Sequence, residues 1–152
     1  MIPRVSSAAS LPPLLLWGNA VATVLLAGMI WVVQLVVYPG FRAVGAAPSW
    51  LRVHAAHSRR MALAVSAPWL VQGLATVGLL VHDPSPLVLL TAALAAATVA
   101  VTAAVSVPLH RRLDHAYDDA TVRRLIATNW WRTAAWTAGA ACSLVLLARG
   151  PA

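Results

Sequence analysis

Long apolar runs without charge, separated by short polar stretches, set the pattern of this chain. Leu14–Val37 covers 24 residues with the amides Asn19 and Gln34 among them, and Met61–Val81, Leu87–Leu109 and Thr133–Ala148 come after it. About 20 apolar residues suffice for a helix to cross a hydrocarbon core, so the pattern predicts spans near 14–38, 59–81, 87–109 and 127–148. The first run exceeds the apolar part of a signal peptide. It also ends in Gln-Leu-Val-Val-Tyr-Pro-Gly rather than at a small-residue cleavage site, so it reads as a retained helix stopped by Pro39 and Gly40.

Between the runs, the punctuation predicts how the helices begin. Ser49 is placed to cap a helix from Trp50, an amphipathic overhang at 50–58 that leads into the second span, with Pro68 bending it near its middle. Ser85 and Pro86 suit the cap and first position of the third helix. Asp118 or Asp119 caps a second overhang, 119–126, leading into the fourth. The expected fold is therefore all-α: an integral membrane four-helix antiparallel bundle. It forms one domain over 1–152, with the second and fourth helices extended on the cytoplasmic side.

Composition supports this class, with 61% apolar and 10% charged residues. All eleven basic residues are arginine, and the net charge is +7. In a soluble protein that charge would suggest nucleic acid. Here the arginines flank apolar runs, so orientation and anionic lipid account for them, and no nucleic-acid partner is expected. Nine lie in 39–60 and 110–132, against Arg4 and Arg149 on the other side, which predicts cytoplasmic arginine-rich loops and both termini outside. Cys142, the single cysteine, reads as a packing residue.

This topology places Gln34, Tyr38, His54, His57, His110, Asp114, Asn129, Trp130 and Arg132 at one end of the bundle. The run Thr133–Ala148 measures only about 24 Å at 1.5 Å per residue, so Arg132 and Asn129 fall inside the hydrocarbon edge. An ionisable group there is a functional hypothesis by default. His54 and His57 share a helix face, and His110 offers a third imidazole, a set that suits zinc, copper or iron. The plain alternative is interfacial histidines bonded to water or headgroups. Haem between two histidines is a weaker use, because few glycines leave room for a macrocycle.

Trp136 is one turn beyond Arg132, positioned for a cation–π contact; alternatively, Trp130 and Trp131 form an aromatic belt and Arg132 snorkels to phosphate. Asn129 is too short to snorkel and needs a partner such as Gln34. Asp114, four residues after His110, is placed to orient that imidazole. Asn19, Thr23 and Trp17 read as ordinary packing and interface residues.

The segments Gln34–Phe41, His54–His57, Pro108–Asp114 and Asn129–Trp136 together resemble small bacterial four-helix membrane proteins and, more loosely, the anthrone-oxygenase-like group. That resemblance implies residence in a bacterial inner membrane and oxidative chemistry on a lipophilic, polycyclic aromatic substrate without a dedicated cofactor. The expectation is an oxidoreductase or oxygenase acting on a small hydrophobic molecule. His54, His57 and His110 serve as acid–base groups or metal ligands, and Arg132 holds a substrate oxygen. Gln34 and Asn129 orient the substrate, and Tyr38, Trp130 and Trp136 form walls. The alternatives are a non-catalytic binder or transporter of a lipophile or metal ion, and a structural subunit whose polar residues lock helices together. Assembly into an oligomer fits any of these.

Overall fold

A computed structural model of the protein describes residues 11–150 as four helical rods with short connections; no strand occurs among them. α1 spans Pro13–Val44, α2 Trp50–His82, α3 Pro86–Leu113 and α4 Asp119–Arg149. Arg4, assigned from the sequence to the outer side, lies outside the described residues.

α1 does not stop at Pro39 and Gly40, contrary to the sequence expectation; it continues to Val44. A proline ring collides with the carbonyl four residues back and supplies no N–H. Ahead of Pro39 the helix widens into a π turn over Val33–Val37, and α3 does the same over Thr102–Ser106 ahead of Pro108. The wider turn takes that carbonyl out of the ordinary ladder, so each helix passes its proline. α1 ends instead at Gly45, whose φ of 57° is open to glycine. The third helix likewise extends beyond Leu109, to Leu113. α2 runs through Pro68 without interruption.

Asp118 caps α4, accepting a hydrogen bond from the Thr121 backbone N–H at 2.8 Å and another from its hydroxyl. Ser49 and Ser85 precede their helices, but their side chains make no cap bond. The hydrogen bonds from Thr121 hold the Asp118 carboxyl below the usual carboxylate range. Its contribution is therefore complete above the ordinary carboxylate pKa and is lost as pH falls through the lowered one. The Asp118→Ala variant is expected to melt below the wild-type protein at neutral pH, with the gap closing in acid. Thermal melts giving a gap independent of pH would contradict the assignment.

Burial is inverted relative to a water-soluble bundle. Leu14 is 82% and Val81 80% exposed, whereas His54 and Asn129 are 0% exposed. A continuous apolar exterior of this kind is stable against hydrocarbon, not water. α1, α2 and α3 are long and apolar enough to cross a membrane; α4 is not among them. Arg123, Arg124, Asn129 and Arg132 occupy its first half and lower its hydropathy. α4 packs instead along both α1 and α3.

Two apolar cores mark the ends of the bundle. One gathers Leu16, Leu79, Val88 and Leu146, and the other includes Tyr38, Phe41, Trp50, Leu109, Leu113, Leu125 and Trp136. Between them runs a ladder of buried polar contacts. Asn19 donates to the Thr76 hydroxyl at 2.8 Å and accepts from Ser143 at 2.5 Å. Gln72 donates to Thr23 at 3.1 Å, and Trp136 Nε1 reaches Gln72 Oε1 at 3.4 Å. Asn19 and Thr23 therefore tie α1 to α2 and α4, a role beyond the ordinary packing expected of them. Such bonds in an apolar surround contribute about 0.6 kcal/mol each on average.

Candidate functional site

The site forms where the two π turns deliver their downstream residues to the bundle interior. Tyr38 follows the first π turn directly, and His110 lies four residues beyond the end of the second. The extra residue in each widened turn rotates the downstream segment relative to its place in an ordinary helix. The Tyr38 hydroxyl sits 3.1 Å from His110 Nε2, and His110 Nδ1 sits 2.9 Å from His54 Nε2. The His54 and His110 rings are within 27° of coplanar with centroids 5.2 Å apart, so the rings meet edge to edge through their nitrogens.

His54 Nδ1 lies 3.1 Å from Asp114 Oδ1, an ion-pair distance, although the contact is too bent to be a good hydrogen bond. It is the only partner within reach of this nitrogen among the described residues. Asp114 thus addresses His54 rather than His110, contrary to the sequence expectation. Asp114 ends α3, and its backbone N–H still bonds to the His110 carbonyl at 3.0 Å. Its side chain therefore leaves the helix surface toward α2.

One set of tautomers is consistent with all three contacts. In that set His54 carries its proton on Nδ1, beside the Asp114 carboxylate, and Nε2 accepts. His110 then donates from Nδ1 and accepts at Nε2 from the Tyr38 hydroxyl. The four groups form a one-way chain, Tyr38 to His110 to His54 to Asp114. Its inner end is buried, and the Asp114 side chain is 51% exposed.

Tyr38 and His110 border a cavity of about 340 Å³ whose walls include Met29, Val33, Met61, Val65 and Trp69. Arg132, Ser106, His57 and Ser58 supply further polar groups, and Arg111 and Asp114 also border it. Arg132 donates to the Ser106 hydroxyl at 3.2 Å, and its guanidinium lies 5.2 Å from the Trp136 ring centroid. Its Nε is buried without a partner. Among the described residues the ion pairs involve Arg42, Arg123 and His54; none involves Arg132. Ser58 Oγ is also buried and unpaired. His57 packs edge-on against Phe41, with centroids 4.9 Å apart, and makes no side-chain hydrogen bond among the described residues.

Three residues expected at the site stand apart from the cavity. Asn129 donates to Gln34 Oε1 at 2.8 Å, and Gln34 donates to the Ile126 carbonyl at 3.2 Å. Both amides are buried and lock α1 to α4. Trp130 is half-exposed and meets Trp31 edge to face at 5.6 Å.

The donor geometry does not fit a metal. Among the described residues no group of three histidine, cysteine or acidic side chains is arranged to hold an ion. The facing nitrogens of His54 and His110 lie 2.9 Å apart and engage each other. Haem fits no better, since those two rings are in direct contact. No protein-family model, curated protein or solved structure matches this chain. The class that fold and site define is an all-helical bundle, apolar outside, with a chain of close polar contacts beside a cavity of mixed apolar and polar walls.

Proposed function

We propose that this protein is a membrane-embedded oxidoreductase of the oxygenase type. It takes an acidic proton from a small lipophilic substrate and leaves the resulting anion to react with dioxygen. In this reading the chain crosses a bacterial inner membrane four times as an antiparallel bundle. Arginine-rich loops lie in the cytoplasm and both termini outside, by the excess of arginine on one side. The observation that carries the reading is the chain Tyr38–His110–His54–Asp114, which runs beside a cavity of mixed apolar and polar walls and ends on a half-exposed carboxylate.

The residues divide the chemistry between them. An activated methylene conjugated through aromatic rings to a ketone gives up a proton to the Tyr38 oxygen as the Tyr38 proton moves to His110 Nε2. The His110 Nδ1 proton passes to His54 Nε2, and the His54 Nδ1 proton to Asp114. The electron pair of the broken C–H bond delocalises onto the ketone oxygen, where Arg132 offsets the charge. Dioxygen is the oxidant: the methylene becomes a carbonyl carrying one of its atoms, and the other leaves as water. A non-catalytic carrier of the same lipophile needs Arg132 and apolar walls but has no use for the proton chain.

Anthrone, a tricyclic ketone with an acidic methylene, is a suitable probe. Vesicles containing the full chain are expected to convert it to anthraquinone with one dioxygen consumed per turnover, faster than empty vesicles. A rate equal to that of empty vesicles, across other lipophilic enolisable ketones as well, would remove this reading.

A further inference from the structure

Resting on the proposed function, we infer that the groove between α2 and α3 holds a hydrocarbon chain carried by the substrate, whose acidic head sits at Arg132 and Tyr38. The groove measures about 610 Å³ and opens on the lipid-compatible exterior beside Leu70, Val77 and Val99. Trp69 lines both this groove and the polar cavity, and packs edge-on against Trp136 with centroids 5.9 Å apart. The two spaces therefore share one indole as a wall.

The groove has no use for a polar ligand. Gln72 and Thr76 border it, but their polar groups are committed to Thr23, Trp136 and Asn19. Its other walls are apolar or small, and a Cβ added at Gly73 would meet nothing within 4 Å. The cavity of about 340 Å³ has room for a ring-sized head, whereas the groove follows α2 from Ser66 to Leu80, about 21 Å of helix. Lipid tails are as apolar as the groove, so moving a chain from one to the other provides little driving force. The groove admits the chain and orients it, while Arg132 retains the head.

The test uses the full chain in lipid nanodiscs with two phenols as probes. One is 4-propylphenol; the other is 4-dodecylphenol carrying a diazirine at mid-chain. Photolabelling by the long probe is expected on 66–80 and 92–99, and to be lost on addition of 4-propylphenol or in Arg132→Met. Gly73→Phe places a ring in the groove from a Cβ position that meets no atom within 4 Å. It is expected to remove long-probe labelling from 66–80 and 92–99 and to leave 4-propylphenol affinity, read by tryptophan quenching, unchanged. Groove labelling that survives Arg132→Met, as for an ordinary bilayer lipid, would overturn the inference, as would unchanged groove labelling in Gly73→Phe. Failure of 4-propylphenol to bind the wild-type chain at all would instead overturn the head-site reading beneath it.

Discussion

Tyr38→Phe is expected to lower anthrone turnover by about 10²–10⁴-fold, the range for losing a positioned acid–base group, while leaving the fold intact. The ring is 2% exposed and packs against Phe41 at 5.7 Å and His110 at 5.8 Å, contacts that phenylalanine retains. What disappears is the oxygen at the head of the proton chain, and with it the partner of His110 Nε2. His110→Phe breaks the same chain one step further along and is expected to reach the same residual rate. The double variant should be no slower than either single one, because groups acting as a unit are not additive. Independent, multiplying effects would mean that Tyr38 and His110 do not share a proton path. Stopped-flow absorbance of anthraquinone formation, with thermal melts of each variant, gives both readouts.

Arg132→Met is expected to cost about 10²–10³-fold in turnover, the size of losing one oxyanion partner, without loss of stability. Arg132 is a cation with a buried, unpaired Nε and no acidic partner among the described residues. Removing such a charge from an apolar surround relieves desolvation rather than breaking a pair. Methionine keeps much of the stem that packs near Trp136. Asn129→Ala is the opposite case: it strips Gln34 Oε1 of its donor and is expected to lower stability by about 1 kcal/mol, with turnover near wild type. If instead Arg132→Met melts well below wild type and Asn129→Ala loses activity, the polar end of the bundle is a helix lock and not a reaction centre. Activity and melting of the two variants side by side decide between these.

The sequence carried the helices and the contacts made within one helix or between ends of regular helices. Helical spacing placed Arg132 one turn from Trp136, and the cation–π geometry is present at 5.2 Å. An amide too short to snorkel needs a partner in the bundle, and Asn129 bonds Gln34 at 2.8 Å. The Tyr38 hydroxyl was harder to read, because it depends on a π turn that no residue pattern at 3.6 per turn anticipates. Pro39 was visible as a stop signal, yet α1 passes it just beyond a widened turn, as α3 passes Pro108. The choice of His54 over His110 by Asp114 comes from how α3 lies against α2, which spacing within α3 does not contain. Gln72 was overlooked because an isolated amide in an apolar run gives no hint of its partners. It bonds Thr23 and Trp136, 49 and 64 residues away.

The hydrogen bond between His54 and His110 is the link on which the proton chain stands, and nitrogen NMR reads it directly. With ¹⁵N-histidine in the full chain in lipid, the account predicts a nitrogen–nitrogen coupling across one N–H···N bond. It joins His54 Nε2 to His110 Nδ1 and vanishes in His54→Phe. Absence of that coupling in the wild type, with both imidazoles bonded separately to water, would contradict the account.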